Sequence, residues 1–248
     1  MRKKITKKII VGNWKMNPLT ENEAVKLAKA SDVSGVVLCV PFIFLSVVKK
    51  VLKKAKFGAQ DSFYEKGGAY TGEISPEMLY KIGAKYVILG HSERRSMGEN
   101  NLEINKKLRA TISVGLIPIL CVGEKERDEN HEYLNFIKKQ LEECTTGISK
   151  DNVSKIIIAY EPVWAIGKSA QREATPEEFR EMSIFIRKIL SDKFGAKMIE
   201  KLQIIYGGSV HPENAEDFLK AGAADGFLVG RDSLDPKKFS EIIKICEA

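Results

Sequence analysis

Cysteine is scarce in this chain. Cys39, Cys121, Cys144 and Cys246 stand far apart in 248 residues, so neither a disulfide framework nor a Cys-x-x-Cys metal site is expected, and a reducing compartment, the cytoplasm, fits. Apolar runs longer than a strand are also missing, and no small-residue cleavage region follows the basic N-terminus. Neither a membrane-spanning helix nor a secretory signal is therefore expected, and no membrane partner. Proline is limited to 8 residues, and no serine- or glycine-rich tract interrupts the sequence. This favours one domain over residues 1–248 rather than two joined by a linker. With 44% hydrophobic and 29% charged residues, the composition is that of a chain that buries a core, which excludes a disordered or collagenous one.

Positive charge is in excess, but its placement is narrow. Lys and Arg number 40 against 33 Asp and Glu, a net charge of +7, a balance that by itself fits a nucleic-acid or membrane-surface partner. Arg2, Lys3, Lys4, Lys7 and Lys8 supply five of those charges, so the chain from residue 9 onward is close to neutral. The basic head reads as a solvated lead-in to the first strand, and no nucleic-acid partner is expected.

What the sequence does have is repetition. Apolar, β-branched runs recur at Ile9 to Val11, Val36 to Val40, Phe57 to Ala59, Tyr86 to Leu89, Leu116 to Val122, Ile156 to Tyr160, Leu202 to Tyr206 and Phe227 to Val229. They are continuous rather than alternating, as strands buried on both faces of a parallel sheet are. Their mean spacing of about 31 residues matches a strand plus a crossover helix. Thr20 to Glu23 and Thr175 to Glu178 fit the capping box that opens a helix. Ser75-Pro76, His211-Pro212 and Asp235-Pro236 place proline where a first helical residue needs no N–H. Eight strand-helix units in this length predict an α/β protein with a closed (β/α)8 barrel. A doubly wound open sheet would be favoured by a G-x-G-x-x-G turn after the first strand, where Gly12-Asn13-Trp14-Lys15 stands instead.

Active sites of such barrels lie at the carboxyl ends of the strands. The polar residues there are Asn13, Lys15 and Asn17, then His91-Ser92-Glu93, Glu161, Gly207-Gly208-Ser209, and Gly230-Arg231. Taken singly, a strand-end lysine is an ordinary surface charge, a lone histidine a structural residue, and a loop glutamate half of a salt bridge. Glu161 sits between a buried strand and an apolar segment, where desolvation should raise its proton affinity toward that of a general base near neutrality. His91 precedes a helix start, whose dipole disfavours imidazolium. Ser209 and Gly230-Arg231 follow the last two strands, where barrels hold a phosphate. His131 and His211 lie in charged or turn-like sequence and are assigned no chemistry, and Cys121 is expected to pack rather than react.

At these residues the chain resembles the triosephosphate isomerase family. The matching segments are Gly12 to Asn17, Gly68 to Ser75, Val87 to Arg95, Cys121 to Glu124, Ala159 to Gly167, Tyr206 to Val210 and Asp225 to Gly230, all in the family's order and spread over essentially the whole chain. The resemblance implies a single-domain TIM barrel that interconverts dihydroxyacetone phosphate and glyceraldehyde 3-phosphate through an enediolate, in glycolysis and gluconeogenesis. It implies Glu161 as base, neutral His91 as electrophile, Lys15 as fixed positive charge and Asn13 as a further donor. The phosphate would meet Gly167, Ser209, Gly230 and Arg231. No cofactor and no metal are implied, because the reaction only moves protons.

The resemblance further implies a lid from Pro162 to about Ala174, with Trp164 and Glu124 bracing one of its states, and a homodimer made by the loop from Glu65 to Glu73. The segment Lys168 to Thr175 is two residues longer than the family's usual stretch and lacks its second glycine, so the lid tip should differ. Arg231 replaces a usual glycine, and Asp61 a common asparagine. Two alternatives are another phosphate-binding barrel, such as a sugar-phosphate epimerase, and an inactive barrel serving as a binding protein. The first lacks the combined contexts of Lys15, His91 and Glu161, and the second is opposed by the presence of all the proposed catalytic side chains.

Overall fold

The structure, a computed structural model, describes residues 8–167, 170 and 172–247. Strands β1 (Ile9–Asn13), β2 (Val36–Val40), β3 (Lys56–Ala59), β4 (Tyr86–Leu89), β5 (Ile117–Val122), β6 (Ile157–Tyr160), β7 (Gln203–Tyr206) and β8 (Gly226–Val229) follow the apolar runs of the sequence. Each pairs in parallel with the next, and β8 pairs with β1, with Ile10 beside Phe227 and Gly12 beside Val229, so the barrel is closed. The backbone of Leu116, Ile156 and Leu202 stays outside the strands although the side chains are buried. Their N–H groups are taken by carbonyls of the preceding helical turn, those of Thr111, Val153 and Ile199.

Alternation along the strands divides the core in two. Val11, Val37, Cys39, Ile88, Ile119, Cys121, Ala159, Ile205 and Leu228 form a cluster made of strand residues, which fills the barrel. The intervening strand residues pack outward against the helices together with Phe179, Ile186, Phe218 and Phe239. A barrel interior packed with side chains is no channel, so a ligand has access only at its ends.

Helix starts match the capping chemistry of the sequence. Thr20 Oγ1 accepts from the N–H of Glu23 while the Glu23 carboxylate accepts from the Thr20 N–H, ahead of helix Glu21–Ala30. Thr175 and Glu178 do the same for helix Pro176–Phe194. Pro76, Pro212 and Pro236 each stand first in a helix. Among the described residues, no helix is long and apolar enough to cross a membrane. The four cysteines are unpaired.

Candidate active site

The two-residue period of the barrel interior carries two polar side chains to its carboxyl end. Asn13 lies two residues beyond Val11, and Glu161 two beyond Ala159, so both continue the inward-facing rows as the strands run out. Both are buried, Glu161 to 2% exposure. His91 is placed differently. Gly90 adopts φ 67°, a left-handed turn closed to most side chains, and re-aims the chain so that His91 caps the short helix Ser92–Ser96. A cavity of about 570 Å³ opens there, lined by Asn13, Lys15, His91, Glu161, Gly167, Ser209, Gly230 and Arg231. All eight sequence-chosen residues therefore face one space.

The base candidate is tightly framed. Its backbone N–H donates to Val122 O at 2.8 Å, and a Cβ on Gly123 would stand 1.7 Å from the Glu161 carbonyl oxygen, so only glycine fits beside it. The N–H of Ser92 donates to Glu161 Oε2 at 2.9 Å. The other oxygen, Oε1, lies 3.2 Å from His91 Nε2, but no N–H is aligned with it, and it is buried without a hydrogen bond. A buried carboxylate oxygen left without a donor is costly.

His91 has a defined tautomer. The Glu93 N–H donates to His91 Nδ1 at 3.2 Å, so Nδ1 is an acceptor without a proton and the ring hydrogen belongs on Nε2, on the cavity side. Lys15 is held against its own backbone preference, at φ 53°. Its N–H donates to Asn13 Oδ1 at 3.0 Å, and its carbonyl accepts from Gln60 Nε2 at 2.8 Å. The same Gln60 nitrogen reaches Cys39 O at 3.0 Å, which ties the lysine turn to β2. Lys15 Nζ meets Glu93 Oε1 at 2.7 Å. Gln60 was not among the sequence-chosen residues. Its role is visible only in the fold, because the carbonyl it holds is 45 residues away.

Beyond β5, Glu124 Oε1 gathers three donors: Tyr160 Oη at 2.7 Å, Trp164 Nε1 at 2.8 Å and Arg127 Nε at 3.2 Å. The Trp164–Glu124 contact expected from the sequence is thus present. Lys168, Ser169 and Gln171 of the lengthened segment lie outside the described residues, as do Arg2, Lys3, Lys4 and Lys7 of the basic head. Arg172, Glu173 and His211 also join the cavity wall. His211, assigned no chemistry from sequence, bridges Glu173 Oε2 at 3.0 Å and Glu213 Oε2 at 2.7 Å. Burial works against a charge on this ring, yet its bonds to the two carboxylates hold its pKa above the ordinary imidazole value. Cys121 is fully buried, and burial together with the nearby Glu161 pushes its thiol far up, which leaves it inert. Among the described residues no cluster of His, Cys, Asp and Glu is arranged to hold a metal ion.

Asp61 lies outside this cavity, buried with the side chains of Lys107 and Glu99 and beside the part-exposed Arg94. Lys107 Nζ contacts both Asp61 oxygens, at 3.0 and 2.9 Å, as well as the Glu99 carboxylate, and Arg94 Nε reaches Asp61 at 2.8 Å. Burial raises the Asp61 carboxyl to about 6, opposed by Lys107 and reinforced by Glu99.

Comparison with known proteins adds an independent line. A profile of the triosephosphate isomerase family matches residues 8–246. A triosephosphate isomerase of Dictyoglomus thermophilum is 47% identical over 248 residues, spanning 96% of this chain and 99% of its own length. One from Dictyoglomus turgidum is 44% identical over 248 residues, with 96% and 99% covered, and one from Aquifex aeolicus 42% identical over 248 residues, with 96% and 98% covered.

Proposed function

Since this chain belongs to the triosephosphate isomerase family, we propose that the cavity at the carboxyl end of its barrel is the active site, with Glu161, His91, Lys15 and Asn13 as its catalytic groups. The chain is an isomerase of glycolysis that interconverts dihydroxyacetone phosphate and glyceraldehyde 3-phosphate. The assignment of roles rests on one observation above others. A carboxylate oxygen buried without a hydrogen bond lies 3.2 Å from the proton-bearing nitrogen of a neutral imidazole, at a cavity that also holds an ammonium group.

The chemistry follows from that arrangement. Glu161 exchanges its bond with the Ser92 N–H for the substrate and takes a proton from the carbon beside the carbonyl. Negative charge then develops on the former carbonyl oxygen. His91 Nε2–H donates to it without adding a full positive charge, and the Lys15 ammonium stabilises the same charge. His91 gives its Nε2 proton to that oxygen and takes the proton of the neighbouring hydroxyl in return, and delivery of the carbon-bound proton from Glu161 to the adjacent carbon then completes the exchange of aldehyde and ketone. Lys15 must leave Glu93 to meet the phosphate, so substrate replaces one anion by another. Gly167, Ser209 and Gly230 offer backbone N–H groups to the phosphate, and Arg231, exposed at the rim, offers a second cation.

The segment from Pro162 to about Ala174 acts as a lid whose closure excludes water and shields the enediolate. The chain forms one domain over residues 1–248, works in the cytoplasm, and pairs as a homodimer through the loop 65–73. That loop is exposed throughout. Met16, Ile43 and Met97, in the loops after β1, β2 and β4, are 89%, 78% and 74% exposed, an apolar rim that a second copy would cover.

Replacing Glu161 by Asp tests the base. The shorter arm withdraws the carboxylate by about one carbon–carbon bond, and kcat should fall by about 10²-fold or more with KM little changed. Steady-state kinetics in both directions, with circular dichroism to verify the fold, provide the readout. Turnover equal to that of the parent would remove Glu161 from the mechanism.

A further inference from the structure

Positive charge without a counter-charge gathers at the end of the barrel away from the cavity. Residues 33–60 and 78–92 hold seven lysines and no carboxylate. Lys49 and Lys50 lie in the last turn of helix Leu45–Val51, and Lys81 in the last turn of helix Pro76–Ile82. Lys53 and Lys54 stand in the turn before β3, Lys56 is its first residue, and Lys85 immediately precedes β4. All seven are exposed. The fold makes them one patch. The Lys85 N–H donates to Phe57 O at 3.0 Å, which sets Lys85 beside the start of β3. A Cβ on Gly83 would lie 3.7 Å from Lys49 Nζ, so the ends of the two helices meet as well. Asp32 is the carboxylate bonded to these segments, and it accepts from the backbone N–H groups of Lys53, Lys54 and Ala55, at 2.9, 2.7 and 2.8 Å.

Two ordinary explanations fall short. Cations complement the dipole at a helix C-terminus, but helices Asn101–Ser113 and Glu132–Cys144 end without one, and four of the seven lysines stand outside helices. A face that is only solvated carries both signs. Other helices of this chain do so, with Lys138–Glu142, Lys139–Glu143, Lys188–Asp192 and Lys220–Glu216 paired one turn apart. Among the described residues, none of the seven lysines makes an ion pair. Like charges held together repel one another, and a polyanion laid against them removes that repulsion.

We propose that this end of the barrel docks on a membrane surface rich in anionic phospholipids, with the cavity at the opposite end facing solvent. The composition of the patch selects among polyanions. Protein interfaces are depleted in lysine. Base edges of nucleic acids are read by arginine forks and side-chain amides, and residues 33–60 and 78–92 hold no arginine and no asparagine. Clustered lysines are point charges that suit a layer of phosphate headgroups, each strengthening adsorption about fivefold. The rest of the chain beyond residue 9 carries an excess of carboxylates. An anionic surface therefore attracts this end and repels the remainder, which sets the orientation. The sequence expectation of no membrane partner rested on a missing span and a missing signal, and a peripheral contact needs neither.

The test is co-sedimentation with vesicles of phosphatidylcholine containing about one-third phosphatidylglycerol, against vesicles of phosphatidylcholine alone. The parent should bind only the charged vesicles, about tenfold more weakly when salt rises from about 50 to about 200 mM. The triple variant Lys49→Gln, Lys53→Gln, Lys56→Gln should lose about 10²-fold in binding. The triple variant Lys138→Gln, Lys139→Gln, Lys188→Gln makes the same change in net charge on other faces and should bind as the parent does. A chain without residues 1–7 should still bind and still respond to the first triple. Isomerase turnover and the circular dichroism spectrum should be the same in both triples as in the parent, and vesicle-bound parent should turn over as it does in solution. No binding at the lower salt, equal losses in the two triples, or loss of all binding with residues 1–7 overturns the proposal. Tighter binding to a short DNA or RNA duplex than to the charged vesicles at the same salt makes the partner a nucleic acid instead and overturns it too. Turnover abolished on the vesicles refutes the orientation.

Discussion

Lys15 and Asp61 show how single side chains here depend on partners remote in sequence. Gln60 is the only side chain seen to bond the Lys15 carbonyl among the described residues, and it also bonds Cys39 O. Replacing Gln60 by Ala leaves the Lys15 carbonyl without its side-chain donor, while Cys39 O keeps the Trp14 N–H, and should cost about 1 to 3 kcal/mol of stability. It should also raise KM more than it lowers kcat, because the ammonium loses its fixed position. Urea unfolding and steady-state kinetics on the same preparation check both. Asp61 makes a different prediction. Its carboxyl, raised to about 6 from an unfolded value near 4, binds more proton folded than unfolded between those limits. Its contribution to stability is therefore present below about pH 4 and lost as pH rises to about 6. Asp61→Asn should remove that fall, which unfolding curves at pH 4, 5, 6 and 7 would show as a change in slope. The residues legible from sequence were those whose surroundings are local. Glu161 and His91 stand next to strand ends, and the strand itself announces them. His211 was passed over because its informative partner, Glu173, is 38 residues earlier and becomes a neighbour only when two barrel loops meet.

At the scale of elements, the strands were legible because parallel strands covered by helices read as unbroken apolar runs. Their starts were less so. Leu116, Ile156 and Leu202 have strand-like side chains and strand-like burial, but the preceding helical turn claims their N–H groups, and hydropathy carries no record of that competition. Helix starts were legible to the residue where a side chain closes them, as at Thr175. Replacing Thr175 by Ala removes the acceptor for the Glu178 N–H and should cost about 1 kcal/mol, a fall in Tm of about 2 to 4 °C for a chain of this size, measurable by calorimetry. The lengthened stretch before this helix is the part for which the family pattern gives least guidance. The contacts of Arg172 and Glu173 arise there, in residues that no strand or helix periodicity governs.

For the molecule as a whole, closure of the ring was read from the count and spacing of its units, and the structure returns the same order from β1 to β8. How copies assemble is not encoded in that spacing. The loop 65–73 folds back on its own chain through Phe63 N to Ile74 O and through packing of Phe63 on Tyr70, which leaves its outer surface free for a partner. Shortening it across Gly67 to Gly72 should give a monomer by sedimentation with turnover reduced by about 10²-fold or more, because Lys15 and Asn13 stand near that rim. A shortened chain that remains a dimer would place the interface elsewhere. The pairing of β1 with β8 has one more effect. Ile9 N donates to Asp225 O at 3.1 Å, so the first strand to leave the ribosome waits for the last before its outer edge is satisfied. Throughout synthesis that edge is an open hydrogen-bonding template, and the nascent barrel is most exposed to wrong partners and most in need of chaperones until its final unit arrives.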